Sequence, residues 1–352
     1  MTESLKVGIA GYGVVGARRR EFIDAHPGLR TAAICDRKFS ESGQFDDGVL
    51  YCRHYRDLLE HDLDVIFVSL SNDMAAEVTI AGLETGHHVF CEKPPGRNLE
   101  EIARVIACES AHPGQKLKYG FNHRYHDSVK DALDLISSGD LGGIINLRGV
   151  YGKSKIIDFD SDWRTQRSIA GGGILLDQGI HMVDLMRLFA GEFTEVKSFV
   201  TNSFWNHDVE DNAYALMRTA EGRVAMLHST ATQWRHRFHL EMALARGTII
   251  LSGLLTGSKS YGAETMTVAR ATERDAGDPR EQTTRYNEDN SWRDEIAEFA
   301  DAMINDTPIV NGSSKDALAT MQLVYQIYCA DPDWRERFNL SDRPPGDTSE
   351  QA

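Results

Sequence analysis

Between residues 5 and 120, short runs rich in Val, Ile, Phe and Cys alternate with stretches in which apolar residues recur every three or four positions. KVGIA, LRTAAICD, DVIFVSL, HHVFCEK and KLKYGF have the length and β-branched content of buried strands. ARRREFIDAH, MAAEVTIAGLETG and LEEIARVIACES have helical spacing. That alternation of strand and helix predicts an α/β domain: a doubly wound parallel sheet with helices on both faces.

After Arg124 the rhythm changes. A helix (SVKDALDLISSG) and a strand (GIINLRGVYG) lead to a glycine-rich segment, and then come EVKSFVTNSF, NAYALMRT, RVAMLHSTAT, HLEMALARGTIIL and TMTVAR with no helix between them. AEG at 220–222 is a hairpin signal. These runs predict an α+β domain with a large, mainly antiparallel open sheet. Two amphipathic helices follow, WRDEIAEFADAMIND and KDALATMQLVYQIYCA. The expected boundaries are 1–122 for the first domain, 123–335 for the second, and 336–352 for a flexible polar tail, with the late helices free to pack back on the first domain.

The 352 residues suit two domains, and 41% hydrophobic with 26% charged residues is the balance of a globular chain. A net charge of −15 argues against nucleic acid or an anionic membrane surface as partner, because both would be repelled. No apolar run reaches the roughly 18 residues that span a bilayer, and MTESLKVGIAG leads directly into a strand, so a cytoplasmic location is expected. Cys35, Cys52, Cys91, Cys108 and Cys329 are odd in number and form no C-x-x-C pair, which predicts reduced thiols and no metal centre.

Candidate chemistry begins at GYGVVG, residues 11–16, a G-x-G-x-x-G between the strand KVGIA and the helical run from Ala17. Gly11 would make the tight turn, Gly13 would admit a pyrophosphate, and Gly16 would let helix and strand pack closely. Tyr12, Val14 and Val15 complete the loop, and the helix start offers free N–H groups to phosphate. Asp36, at the end of the next strand, is placed to accept both ribose hydroxyls and repel a 2′-phosphate, which favours NAD; Arg37 beside it admits NADP. This is the Rossmann arrangement.

Two further stretches stand in order behind it. CEKPP at 91–95 sets Lys93 at the carboxyl end of a strand, where Pro94 stops any continuation. GGGILLDQGIHMVD at 171–184 sets Asp177, His181 and Asp184 on one face of an otherwise apolar helix. Together the three motifs resemble the glucose-fructose oxidoreductase / inositol dehydrogenase (Gfo/Idh/MocA) family, over about residues 5–330 and including VEDNAYALMRT and the two late helices. The resemblance implies Lys93, Asp177 and His181 as catalytic residues, and Gly11, Tyr12, Gly13, Val14, Val15, Gly16, Asp36, Arg37, Ser71, Asn72, Glu92 and Lys93 around the dinucleotide. One stretch departs from the family pattern: LSNDMA puts Ser71 and Ala75 where the family commonly has Pro and His, which weakens Ser71 and Asn72 as cofactor residues.

Oxidising a secondary alcohol needs a base, a partner for the developing alkoxide and a hydride acceptor. An imidazole such as His181 takes and returns a proton near neutrality. Lys93 would steady the oxygen, and Asp177 would fix the imidazole or bind a neighbouring hydroxyl, with Asp184 a buttress. FNHRYH and SDWRTQR bring His123, Arg124, Trp163, Arg164 and Arg167 into view as substrate residues beside Asp177 and His181, a mix of guanidinium and indole that suits a sugar, sugar phosphate or sugar nucleotide. The three glycines before the helix read as room for substrate and nicotinamide. The expected activity is NAD(P)-dependent hydride transfer at a carbohydrate ring carbon. Two alternatives are a redox-assisted glycosidase or lyase with retained NAD, and a redox-dead dinucleotide or sugar sensor that binds a regulatory protein. The open sheet of the second domain predicts a homodimer or homotetramer.

Overall fold

The computed structural model describes residues 4–154, 163–256, 260–272 and 277–344. Ser161 and Asp162 of SDWRTQR, and the end of the tail from 345, lie outside the described residues. In chain order the first elements are β1 (Leu5–Ala10), α1 (Val14–Ala25), β2 (Leu29–Cys35), β3 (Gly43–Gln44), β4 (Leu50–Cys52), α2 (Tyr55–Leu59), β5 (Val65–Val68), α3 (Asn72–Glu84), β6 (His88–Glu92), α4 (Leu99–Ala111) and β7 (Leu117–Gly120). Then come α5 (Asp127–Ser137), β8 (Ile144–Ser154), α6 (Arg167–Ala170), a π-helical turn at Leu175–Gly179 and α7 (Ile180–Ala190). The strands β9 (Phe193–Thr201), β10 (Asn212–Thr219), β11 (Val224–Gln233), β12 (Arg237–Leu244), β13 (Gly247–Ser252), β14 (Thr265–Arg270) and β15 (Glu281–Arg285) precede α8 (Ser291–Ile304), α9 (Ser314–Cys329) and α10 (Pro332–Phe338).

The chain divides into two units: residues 4–121 with Trp292–Met321, and Asn122–Ser291 with Gln322–Arg343. The first holds a seven-stranded sheet in the order β3-β4-β2-β1-β5-β6-β7, parallel except for the short β3. From β1 the chain winds outward through β2 and then crosses to β5 on the other side, so the crevice at the carboxyl ends opens beside β1. Every residue of β5 is buried, as a strand covered on both faces requires. Phe67 and Phe90 stack at 4.7 Å, and Phe299 of α8 meets the Phe90 ring edge-on at 5.6 Å. All three are 0% exposed, and burying each stabilises the unit by about 1.5–3 kcal/mol.

The second unit holds an eight-stranded sheet, β15-β14-β13-β12-β8-β11-β10-β9, in which only β8 and β11 run parallel. HLEMALARGTIIL, which reads as a single run, is a hairpin of β12 and β13 turned at Ala245 and Arg246. β15 escapes sequence reading because EQTTR has no apolar residue and lies fully exposed. α7 packs on one face of the sheet so closely that a Cβ on Gly149 would stand 2.4 Å from the Met186 methyl. The opposite face presents Phe199, Tyr214, Leu216 and Met226, all exposed. Residues 336–338, expected in a flexible tail, are the last turn of α10, which Asp331 caps through the Trp334 N–H and Asn339 closes at φ 48°.

Candidate active site

In the first unit the glycine loop has three different physical reasons for its three glycines. Gly11 sits at φ +91°, and a Cβ there would fall 2.3 Å from the Ser69 carbonyl oxygen. A Cβ on Gly16 would fall 1.9 Å from the Gly11 carbonyl oxygen, so α1 seats directly on the turn. Gly13 is different, since nothing lies within 4 Å of its missing Cβ. The protein's own packing leaves that space open at the first turn of α1, where no side chain caps the helix and Val14 is 82% exposed. Free N–H groups with room in front of them fit a pyrophosphate.

Asp36 follows β2, and its carboxylate accepts the Tyr12 N–H at 2.8 Å and the Lys38 N–H at 3.0 Å, which fixes it beside the loop with lone pairs to spare for a ribose. Arg37 is exposed there. Lys38, absent from the sequence reading, donates to the Tyr12 carbonyl at 2.5 Å and lies 4.9 Å from the Tyr12 ring. Ser71 donates its hydroxyl to Asp73 at 2.6 Å, and Asn72 opens α3 with its side chain buried.

Lys93 follows β6 directly, and its peptide bond to Pro94 is cis. The turn after it is held rigid: Glu101 accepts the Arg97 N–H at 2.6 Å and the Arg97 Nε–H at 2.8 Å, and Asn98 caps α4. Glu92, expected at the cofactor, accepts the Arg19 Nε–H at 2.6 Å. Arg19 is fully buried, lies between the rings of Phe90 and Trp292 at 4.3 Å from each, and also meets Glu295 at 2.7 Å. The ion cluster thus anchors the strand end that carries Lys93. A sequence signal existed: Gly16, Arg19 and Ile23 share one helix face.

In the second unit, β8 and α7 build the other cluster. Asp177 lies within the π-helical turn, and Lys153 of β8 donates to it at 2.9 Å while Arg164 stands 3.7 Å away. Arg164 lies over the Trp163 ring at 4.4 Å. His181, one turn on, is 4% exposed and stacks on His123 with centroids 3.7 Å apart and planes 9° off parallel. His123 in turn meets the Tyr151 hydroxyl at 2.9 Å, and burial pushes the Tyr151 phenol well above its ordinary range. Tyr261 reaches Gln178 at 3.2 Å and packs on Tyr151 at 5.4 Å. Lys153, Tyr151 and Tyr261 escaped the sequence reading, although Tyr151 and Lys153, two apart on one strand, share a face.

Three expected roles stand beside structural ones. Asp184 is fully buried and takes the Arg124 guanidinium bidentately, at 2.7 and 2.6 Å. Arg124, expected to bind substrate, is committed to that pair and 8% exposed. The three glycines before the helix answer to packing within the unit. Gly171 sits at φ +80°, a Cβ on Gly172 would stand 2.4 Å from the Tyr328 hydroxyl, and one on Gly173 would stand 2.1 Å from the Glu210 carbonyl oxygen. Arg167 lies over the Phe338 ring at 4.1 Å and gives its N–H to Asp208.

Among the described residues no three His, Cys, Asp or Glu side chains are grouped to hold a metal, and no helix is long and apolar enough to cross a membrane.

Residues 5–121 match the model of an oxidoreductase family with an NAD-binding Rossmann fold, and residues 129–250 match the GFO/IDH/MocA C-terminal domain. The levoglucosan dehydrogenase of Pseudarthrobacter phenanthrenivorans is 30% identical over 209 residues, 58% of this chain and 50% of that protein. The inositol 2-dehydrogenase of Salmonella typhimurium is 25% identical over 227 residues, 62% of this chain and 65% of that protein. The alignments thus span between half and two thirds of these relatives' lengths. In fold, the chain superposes on a levoglucosan dehydrogenase in complex with NADH and L-sorbose with a TM-score of 0.78 at 22% identity, covering 94% of this chain and 97% of that one. A variant of a 3-ketoreductase from Actinomadura kijaniata, in complex with TDP-benzene and NADP, gives 0.80 at 22% identity over 94% and 98%. The chain belongs to the Gfo/Idh/MocA family of oxidoreductases, and its first unit is that family's NAD-binding Rossmann domain.

Proposed function

We propose that the protein is an NAD(P)-dependent dehydrogenase or reductase that acts on a ring carbon of a polyhydroxylated, sugar-type substrate. One observation carries the reading: Asp177 and His181 stand a helical turn apart on an element packed against β8, with Lys153 donating to Asp177 at 2.9 Å. An imidazole, a carboxylate and an ammonium in that spacing can hold the hydroxyls of a sugar and move one proton. His181 takes the proton from the reacting hydroxyl and returns it in the reverse direction. Asp177 accepts a hydrogen bond from a neighbouring hydroxyl, its charge balanced by Lys153 and Arg164. Lys93 supplies positive charge to the oxygen as alkoxide develops.

Gly11, Gly13, Gly16 and the first turn of α1 hold the pyrophosphate, with Tyr12, Val14 and Val15 lining it, and Asp36 takes the ribose. Bound there, the nicotinamide supplies the hydride acceptor or donor. Asp36 favours NAD over NADP, because its carboxylate repels a 2′-phosphate. Trp163 and Arg164 recognise the far side of the sugar, through ring packing and a guanidinium fork that a phosphate would also fit. Levoglucosan and inositol, named for two relatives, are the first substrates to try.

The test is steady-state NADH formation with these polyols and with sugar phosphates. His181→Ala lowers kcat by about 10²–10⁴ and leaves NADH binding by fluorescence titration intact. A variant with nearly full turnover removes His181 from the mechanism. We also propose that two copies pair through the open sheet face bearing Phe199, Tyr214, Leu216 and Met226, a patch too apolar to leave bare.

A further inference from the structure

Helices usually begin with a Ser, Thr, Asp or Asn whose side chain takes one of the first N–H groups, since the first four have no partner inside the helix. The helix that carries Asp177 and His181 begins at Ile174, after three glycines, with no such residue. The missing cap comes from elsewhere in the unit. Glu210, 2% exposed just before β10, accepts the Gly173 N–H at 2.7 Å on one carboxylate oxygen and the Leu175 N–H at 2.9 Å on the other. Its backbone carbonyl accepts the Ile174 N–H at 3.1 Å. Three consecutive amides at the helix start thus end on one residue, and a carboxylate at that end also complements the helix dipole.

Other observations agree that the arrangement is built. The Tyr328 hydroxyl donates to the Glu210 carboxylate at 2.6 Å from α9. Gly173 must be glycine because Glu210 approaches it to backbone contact, with a Cβ there only 2.1 Å from the Glu210 carbonyl oxygen. Asp177 is bonded directly to the clamped residue, its N–H donating to the Gly173 carbonyl at 2.9 Å. A shift of Gly173 therefore moves Asp177 first and His181 one turn later.

We infer that Glu210 is a positioning residue for Asp177 and His181, acting as a remote cap that fixes where their helix starts. The inference rests on the proposed function for the roles of those two side chains, but the clamp itself is measurable without turnover. Burial raises the Glu210 carboxyl, opposed by Tyr328, Arg167 and the Gly173 N–H.

The experiment compares wild type with Glu210→Gln and Tyr328→Phe in the full chain. Amide hydrogen exchange at Gly173 and Leu175, and the His181 ring-proton resonance at fixed pH, are followed by NMR. His181 stacks 3.7 Å from His123, so a small displacement changes the ring current it feels. In Glu210→Gln an NH₂ replaces an acceptor facing backbone donors, and exchange at both amides rises about tenfold or more, the loss expected for a charge-assisted hydrogen bond. The His181 resonance moves, and kcat falls about tenfold with the KM for NAD within twofold. Tyr328→Phe keeps both amide bonds and gives a smaller change of the same sign.

Unchanged exchange at both amides in a folded Glu210→Gln, or faster exchange with an unmoved His181 resonance, overturns the inference. Should Glu210→Gln not fold, unchanged Leu175 exchange in Tyr328→Phe overturns it instead. Wild-type protein that oxidises no polyol would refute the proposed function and leave the exchange and resonance results to decide the clamp.

Discussion

Arg19 and its two carboxylates make a quantitative prediction about pH. Arg19 is buried between Phe90 and Trp292, its Nε–H bonded to Glu92 and its other side 2.7 Å from Glu295. Glu295 is 0% exposed, and neither of its oxygens makes an aligned hydrogen bond. Burial dominates, the attraction of Arg19 works against it, and the repulsion of Glu92 adds to it, so the Glu295 carboxyl is pushed from 4.5 up to about 7. The ion contact and the raised carboxyl conflict only superficially, because a contact without alignment does not repay desolvation.

The sign follows from proton counting. Below pH 4.5 both folded and unfolded chains hold the proton. Between 4.5 and about 7 only the folded chain does, so stability falls as pH rises through that window and levels off above it. At about 1.36 kcal/mol per tenfold change in proton affinity, the full loss is roughly 3 kcal/mol, most of it between pH 5 and 8. Urea unfolding of wild type and Glu295→Gln across that range, followed by Trp fluorescence, isolates the group, since glutamine cannot titrate. The difference between the two proteins should change by about 2–3 kcal/mol from pH 5 to 8. Parallel pH dependences, within about 0.5 kcal/mol, would refute the reasoning, for Glu295 would then stay ionised in both states. At low pH a neutral Glu295 leaves Arg19 to Glu92, the residue that precedes Lys93.

Three further outcomes are expected. Lys153→Met removes the cation 2.9 Å from Asp177 and should raise the KM for the sugar about tenfold with the KM for NAD unchanged; an unchanged sugar KM places Lys153 outside recognition. Asp184→Ala strands the buried Arg124 guanidinium and should cost about 3–5 kcal/mol by denaturant midpoint, whereas Arg124→Met with Asp184→Leu should restore most of it; a mild single-variant effect would mean water reaches the pair. Phe199→Asp places a charge on the open sheet face and should give a monomer by light scattering, while an unchanged mass assigns pairing to another surface.

What the sequence made legible was whatever depends on period and local backbone need. The parallel sheet of the first unit followed from alternation, and Gly11 and Gly16 occupy positions where a Cβ would strike backbone. Asp177 and His181 were legible because spacings of four mark one helix face. The residues that hold these groups in place were not, because each acts across a long separation in the chain. Arg19 reaches Glu92 and Glu295, Arg124 reaches Asp184, and Glu210 reaches Gly173 and Tyr328, contacts that no periodicity encodes. The glycines at 171–173 show how such partners mislead: viewed alone they read as space for a ligand, whereas Gly172 and Gly173 are the room that the Tyr328 hydroxyl and the Glu210 backbone need. A buried charge in a helix or strand therefore asks of the sequence which distant opposite charge or N–H cluster it serves. Glu210, an acid just before a strand in a chain whose key helix lacks its own cap, was the residue where that question had an answer.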